Sequence, residues 1–314
     1  MGKNKVTGAP EKSIEKTYLQ YLRAGFLEGL LHQKLVHIEV EEKSLFASGD
    51  SRLWHCIVTP DSEEGFDIYG KYLRNDTVDK QVGLLSALSS AGINCPVVIF
   101  ASQDKHFYMY RAVRGVPLVE QFGQLSAEEI VEQVTALVNR VHYCQGSRVY
   151  LQPIILDQLR HKLEDQMIIA KQLLPESQTK LEQYYQDVTR HLDSLVGETP
   201  THGDLNPWNI IIYRNQLGII DFSEASLSVP ELDYGILLGS LDFVAATNDS
   251  LQDKALEVRN SLVKKLRLPT IDQDIIRVAY YLAVFRHLWV ISTYGIEIEK
   301  GKQLAQKLFR EIYL

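Results

Sequence analysis

Residues 201–213 read THGDLNPWNIIIY. His202, Gly203 and Asp204, with Asn209 five residues after the aspartate, stand at the entrance of an apolar, β-branched run. Such a run reads as a short buried strand. A buried strand has no structural need of a carboxylate and an amide at its mouth, because polar groups taken from water cost free energy unless they are partnered. Further on, GIIDF places Asp221 at the end of a second apolar stretch. If the two stretches pair as a hairpin, Asn209 and Asp221 lie near one another.

That arrangement suits phosphoryl transfer from a nucleotide to a hydroxyl. The hydroxyl must be oriented and its proton accepted, a task for a carboxylate such as Asp204. Mg²⁺ on the phosphates requires hard oxygen ligands, and Asn209 with Asp221 offers them. The spacing D-x-x-x-x-N is that of a catalytic loop whose asparagine ligates Mg²⁺. A cation must also face the phosphates.

The cation has a candidate in GFDIYGKY, residues 65–72. The segment contains G-x-x-x-x-G-K, the start of a P-loop, but Tyr72 stands where Ser or Thr would reach Mg²⁺. Phe66, Ile68, Gly70 and Tyr72 also alternate with Asp67, Tyr69, Lys71 and Leu73, the period of a strand. Lys71 therefore reads as a lysine projecting from a strand.

Around these motifs the chain changes character. Residues 11–32 predict a helix, and residues 34–60 a hairpin turning at ASGDS. FDIYGKYL, PVVIF and FYMYRAV predict further strands, with a helix over about 76–91. After Gly115 helices dominate. Ser126 with Glu129 predicts a capping box, with Gly146 ending that helix. Helices near 155–174 and 176–196 follow. Thr270 with Gln273 predicts the cap of a helix running to about Thr293, whose stripe of Ile275, Val278, Tyr281, Leu282, Phe285 and Leu288 reads as core.

HGDLNPWNIII followed by LGIIDFSEAS resembles the aminoglycoside phosphotransferase and choline kinase family of small-molecule kinases. The resemblance covers roughly residues 30–295. It implies an α+β, protein-kinase-like bilobal fold, with an antiparallel-sheet N-lobe over 1–112 that binds nucleotide. A mainly helical C-lobe over 113–314 would carry the catalytic loop and the acceptor site. It implies ATP or GTP as donor, Mg²⁺, and a small-molecule hydroxyl acceptor. Asp204 would be the base, Asn209 and Asp221 the metal ligands, and Lys71 the phosphate lysine. Ser48 and Gly49 match the family's loop over the phosphates. Met109, Tyr110, Arg111 and Ala112 match the connector whose backbone bonds the nucleotide base. His202 and Asp233 would brace the catalytic loop. Gln81 stands where the family usually has a helix Glu to pair with the lysine, so Lys71 would lean on Asp76, Asp79 or another acid. Two alternatives remain: a nucleotide-binding scaffold without catalysis, and a protein kinase. Gly203, where protein kinases have Arg, and the short IDFSEASLSVPELDYG segment disfavour the second.

Composition bounds the rest. The first 114 residues balance 14 Lys+Arg against 14 Asp+Glu, so the net charge of −7 lies wholly after them. An acidic second half disfavours nucleic acid and anionic membranes and suits a cationic acceptor, with Glu224 and Glu231 as candidate contacts. No uncharged apolar stretch of 18 residues occurs, so no membrane span is expected. The N-terminus has no apolar leader, and Val6 replaces the Ser or Thr of a myristoylation site. Three scattered cysteines suit reduced, buried thiols and a cytoplasmic protein; a monomer or homodimer is expected.

Overall fold

The computed structural model describes residues 24–31, 35–41, 51–60, 65–73, 78–104, 106–293 and 298–310. Ser48, Gly49, Asp76 and most of the first expected helix lie outside the described residues. By its internal contacts the chain forms two units. One comprises Met1–Ser89 and Cys95–Arg114, the other Ser90–Asn94 and Gly115–Leu314.

The first unit is an antiparallel sheet of five strands: β1 (Leu35–Glu41), β2 (Ser51–Pro60), β3 (Phe66–Leu73), β4 (Val97–Ser102) and β5 (Phe107–Arg111), in the order β1-β2-β3-β5-β4. Helices α1 (Ala24–Leu31) and α2 (Val78–Ser90) accompany it. In β3 the alternation seen in the sequence becomes alternation of burial. Phe66 and Ile68 enter a core with Leu27, Cys56, Val58, Phe107 and Met109, each side chain contributing about 1.5–3 kcal/mol when fully buried.

The second unit is mainly helical. A three-stranded sheet, β6 (Val116–Pro117), β8 (Ile210–Tyr213) and β9 (Gln216–Ile219), and a two-stranded one, β7 (Thr199–Thr201) with β10 (Ser226–Ser228), carry the central loop. Around them lie α3 (Ala127–His142), α4 (Leu156–Leu173), α5 (Gln178–His191), α6 (Glu231–Thr247), α7 (Gln252–Leu266), α8 (Gln273–Thr293) and α9 (Ile298–Arg310). The Ser126–Glu129 capping box forms in full. Two other signals resolve differently. The α3 helix ends at Tyr143, whose φ of −91° and ψ of 2° need no glycine, and Gly146 falls in the following 3₁₀ turn. Thr270 does not cap α8. Asp272 does, its Oδ1 accepting from the N–H groups of Asp274 and Ile275, and a carboxylate there also suits the positive end of the helix dipole.

Helices α6 and α8 share the most extensive helix–helix contact among the described residues of this unit. A Cβ on Gly235 would stand 2.4 Å from the Ala279 Cβ, and one on Gly239 would stand 2.7 Å from that of Ala283. Two glycines one turn apart thus let the backbones touch. Helix α8 is long and apolar enough to cross a membrane by composition alone, but most of it is buried, including Tyr280, Phe285 and Leu288. Cys56, Cys95 and Cys144 are all buried thiols.

Candidate active site

The loop between β7 and β8 is held from below by one aspartate. The Asp233 carboxylate, fully buried at the start of α6, accepts from the backbone N–H groups of His202 and Gly203, each at 2.9 Å, and lies 2.9 Å from His142 Nε2. Burial alone would raise its pKa. The His142 hydrogen bond and the His202 side of the loop outweigh that, leaving the carboxyl below the ordinary range. The His202 ring spans the loop: Nδ1 accepts from the Asp204 N–H at 3.2 Å, so Nε2 carries the proton and donates to Ile220 O at 2.8 Å. Loop and β9 are thereby tied together.

Gly203 has a φ of +75°, and a Cβ there would lie 2.1 Å from the Glu224 carbonyl oxygen. An arginine cannot occupy this position without moving that backbone, which gives the Gly203 departure from protein kinases a physical basis.

Strands β8 and β9 pair as the expected hairpin, Ile210 opposite Ile219, and Ile220 N–H donates to Asn209 O at 2.9 Å. This brings Asn209 beside Asp221. Asp221 is exposed and holds a left-handed backbone, φ 59° and ψ 69°, a conformation that Asp tolerates better than most residues. The Asn209 Nδ2 group is committed to Asp204, which leaves its Oδ1, together with the Asp221 carboxylate, to serve a ligand. This oxygen-only pair fits a hard cation such as Mg²⁺.

Asp204 itself is only 7% exposed. Asn206 Nδ2 donates to its Oδ1 at 3.1 Å, and Asn209 Nδ2 to its Oδ2 at 3.2 Å. From α8, Arg286 reaches both oxygens, Nη1 to Oδ1 at 2.5 Å and Nη2 to Oδ2 at 2.8 Å. Burial alone would lower the arginine's pKa, but Asp204, with Glu224 and Asp221 behind it, holds it above its ordinary value.

The model of the phosphotransferase enzyme family matches residues 73–262, more than half of the chain. The chain belongs to this family. The matched span contains Asp204, Asn209, Asp221 and Asp233, begins two residues after Lys71 and ends before Arg286. Among solved structures, spectinomycin phosphotransferase in complex with ADP and spectinomycin is 13% identical, with a TM-score of 0.56 over 91% of this chain and 98% of that one. A thermostable mutant of aminoglycoside phosphotransferase APH(4)-Ia, with AMP-PNP and hygromycin B, is 11% identical, with a TM-score of 0.59 over 93% and 99%. A macrolide 2′-phosphotransferase from Brachybacterium faecium is 14% identical, with a TM-score of 0.51 over 90% and 96%. At these identities the likeness establishes the fold, an antiparallel-sheet unit and a mainly helical one, as the resemblance implied. No curated protein matches the sequence.

The remaining family positions fall in several places. Lys71 sits mid-strand, opposite Leu53 and Tyr108, not in a turn. Gln81 and Asp79 lie on α2, Asp79 exposed. Met109, Tyr110 and Arg111 are inside β5, paired with β3 on one side and within the span paired with β4 on the other, and the Ala112 N–H donates to Asp67 O. Their backbone ladder is therefore largely used by the sheet, and the chain leaves it only at Ala112. Glu224 is half-exposed and bonded through both oxygens to Lys162. Glu231 accepts from Asp272 N–H at the start of α8. That point lies about 20 Å along the helix from Arg286 at 1.5 Å per residue, so Glu231 is not brought to Asp204. Sequence reasoning missed Arg286, Asn206 and His142. Arg286 had a signal: it interrupts the apolar run AVFRHLWV of a core helix, where a charge calls for a partner.

Proposed function

We propose that the protein transfers the γ-phosphoryl group of ATP or GTP to a hydroxyl of a small, amine-bearing molecule, with Mg²⁺. The observation that carries this reading is the convergence of Asp204, Asn209 and Asp221 on one braced hairpin. Asp204 accepts the acceptor's proton. Asn209 Oδ1 and Asp221 would hold the cation, which when bound neutralises phosphate charge. Lys71 supplies a further positive charge to the phosphates. Ser48 and Gly49 would cover the phosphates, and the chain leaving β5 at Ala112 would bond the nucleotide base. An amine on the acceptor is favoured by the exposed carboxylates of Asp221 and Glu224 beside the loop and by the acidic balance of the second unit.

The test is turnover of Mg-ATP and Mg-GTP against a panel of hydroxylated metabolites and antibiotics, with thermal stabilisation read in parallel. The reading expects at least one acceptor to accelerate nucleotide consumption and to appear phosphorylated by mass spectrometry. Nucleotide binding without turnover across the panel, and without release of phosphate to water, would instead support a scaffold.

A further inference from the structure

Each oxygen of Asp204 accepts two hydrogen bonds, Oδ1 from Asn206 and Arg286, Oδ2 from Asn209 and Arg286. The carboxylate's ordinary lone-pair positions are therefore filled. An incoming hydroxyl must take one of these positions. The four donors are not equally displaceable. Both Asn amides are long contacts at 3.1 and 3.2 Å, and each Nδ2 also bonds the Asp204 carbonyl oxygen, at 3.1 and 3.0 Å. An Asn that yields its carboxylate position to a hydroxyl keeps a partner. The arginine contacts are shorter, charge-assisted and bidentate, and an arginine that left would strand a carboxylate in an almost buried site.

We infer that Arg286 is the positioning residue of the phosphoryl transfer: it holds the plane and the charge of Asp204 while the acceptor hydroxyl replaces one asparagine contact. This rests on Asp204 being the base. In the step, the hydroxyl proton passes to a carboxylate oxygen and the hydroxyl oxygen bonds to the γ-phosphorus. The bond from that phosphorus to the β–γ bridging oxygen breaks, and nucleoside diphosphate leaves. Through it Arg286 keeps at least one N–H on the carboxylate, so the base does not rotate away from the oxygen it must deprotonate. The surroundings suit a fixed cation. Asp221 and Glu224 add negative charge to its field, Lys162 is occupied by Glu224, and the next residue, His287, is buried and stacked on Phe243 at 4.3 Å.

The test uses the full chain with Mg-ATP and Mg-GTP and water as the acceptor, reading phosphate release. Arg286→Ala, Arg286→Lys and Asp204→Asn are compared with the wild type. Arg286→Ala should lower kcat roughly 10–100-fold, the range for partners that orient a working group, while KM for nucleotide changes by less than about twofold. Arg286→Lys, with one donor centre in place of the fork, should retain more activity than Ala, and millimolar guanidinium should restore part of the Ala variant's rate. A folded Arg286→Ala chain with the wild-type kcat, a raised kcat, or a loss that neither lysine nor guanidinium relieves overturns the inference. Where the Ala variant does not fold, the Lys variant decides, and an unchanged kcat there overturns it as well. Asp204→Asn separates the two levels. If it is inactive while the Arg286 variants match wild type, only the role of Arg286 falls. If it turns over normally, the reading of Asp204 falls and the inference with it; where the wild type releases no phosphate to water, the same variants are compared on the acceptor panel, and no turnover there by the wild type overturns both.

Discussion

Two aspartates 29 residues apart in sequence are both buried, both ringed by donors, and held in different ways. Around Asp233 two of the three donors are backbone N–H groups and the third is a buried histidine. Around Asp204 every donor to the carboxylate is a side chain. Backbone donors cannot leave without unfolding the loop. Side-chain donors rotate on fast timescales. The contrast separates a carboxylate whose donors are fixed by the loop from one whose donors can exchange, as the role proposed for Asp204 requires, and it rests on donor type, since burial alone hardly distinguishes them.

The sharpest way to break the contrast is to remove the charge at the second site. Asp204→Asn keeps the shape and should bind Mg-nucleotide normally, yet lose transfer by roughly 10²–10⁴-fold, the range for a general base. Turnover near the wild-type value in the purified variant would make Asp204 another brace. At the first site the effect should fall on folding. Asp233→Ala leaves the His202 and Gly203 N–H groups and His142 without their acceptor, and should reduce stability by about 3–5 kcal/mol, the range for breaking a buried charged pair. Denaturant unfolding measures it, and a loss under about 1 kcal/mol would mean that the loop has other support.

How far the sequence carried this contrast depends on how local each signal was. The hairpin of Ile210–Tyr213 with Gln216–Ile219, the strand setting of Lys71 and the Ser126–Glu129 cap are short-range patterns, and all were legible. Asp233 was placed as a brace by resemblance, but its partner His142 lies 91 residues away and nothing in either segment names the other. Arg286 is 82 residues from Asp204 and sat inside a stripe read as core. The cap of α8 failed for a smaller reason: Asp272 and Thr270 are both competent caps, and the carboxylate nearer the apolar run won. Glu231 was grouped with Glu224 by proximity in sequence, and a helix start separates them.

A buried base without a counter-charge extends the comparison. His287 is buried, with Ser240 Oγ at 3.1 Å. Burial, helped by the Arg286 charge, pushes its pKa down to about 3. The unfolded chain therefore binds a proton that the folded chain refuses between about pH 6.5 and 3. The stabilising contribution is complete above the ordinary histidine pKa and is lost as pH falls through that window. At pH 5 the loss should be about 2 kcal/mol at 1.36 kcal/mol per pH unit. His287→Gln should flatten stability against pH between 7 and 5, and an unchanged slope would assign the acid sensitivity to other groups.

The smallest effect belongs to the carboxylate at the exposed end of the series. Glu224 is half in solvent and its carboxylate pairs with a flexible lysine, Lys162. An exposed pair of this kind contributes about 0–1 kcal/mol, so Lys162 can be exchanged for an acceptor's amine at little cost. Where Asp233 keeps its donors and Asp204 yields one, Glu224 could surrender its partner entirely to a ligand. Glu224→Gln should then leave stability and kcat nearly unchanged and raise the acceptor's KM, by about fivefold if roughly 1 kcal/mol of pairing is lost. Added salt should raise the wild-type KM and affect the variant less, since screening acts over about 10 Å at 0.1 M. A best acceptor that is neutral, with a KM indifferent to salt and to this substitution, would return Glu224 to the surface and make the acidity of the second unit a matter of solubility.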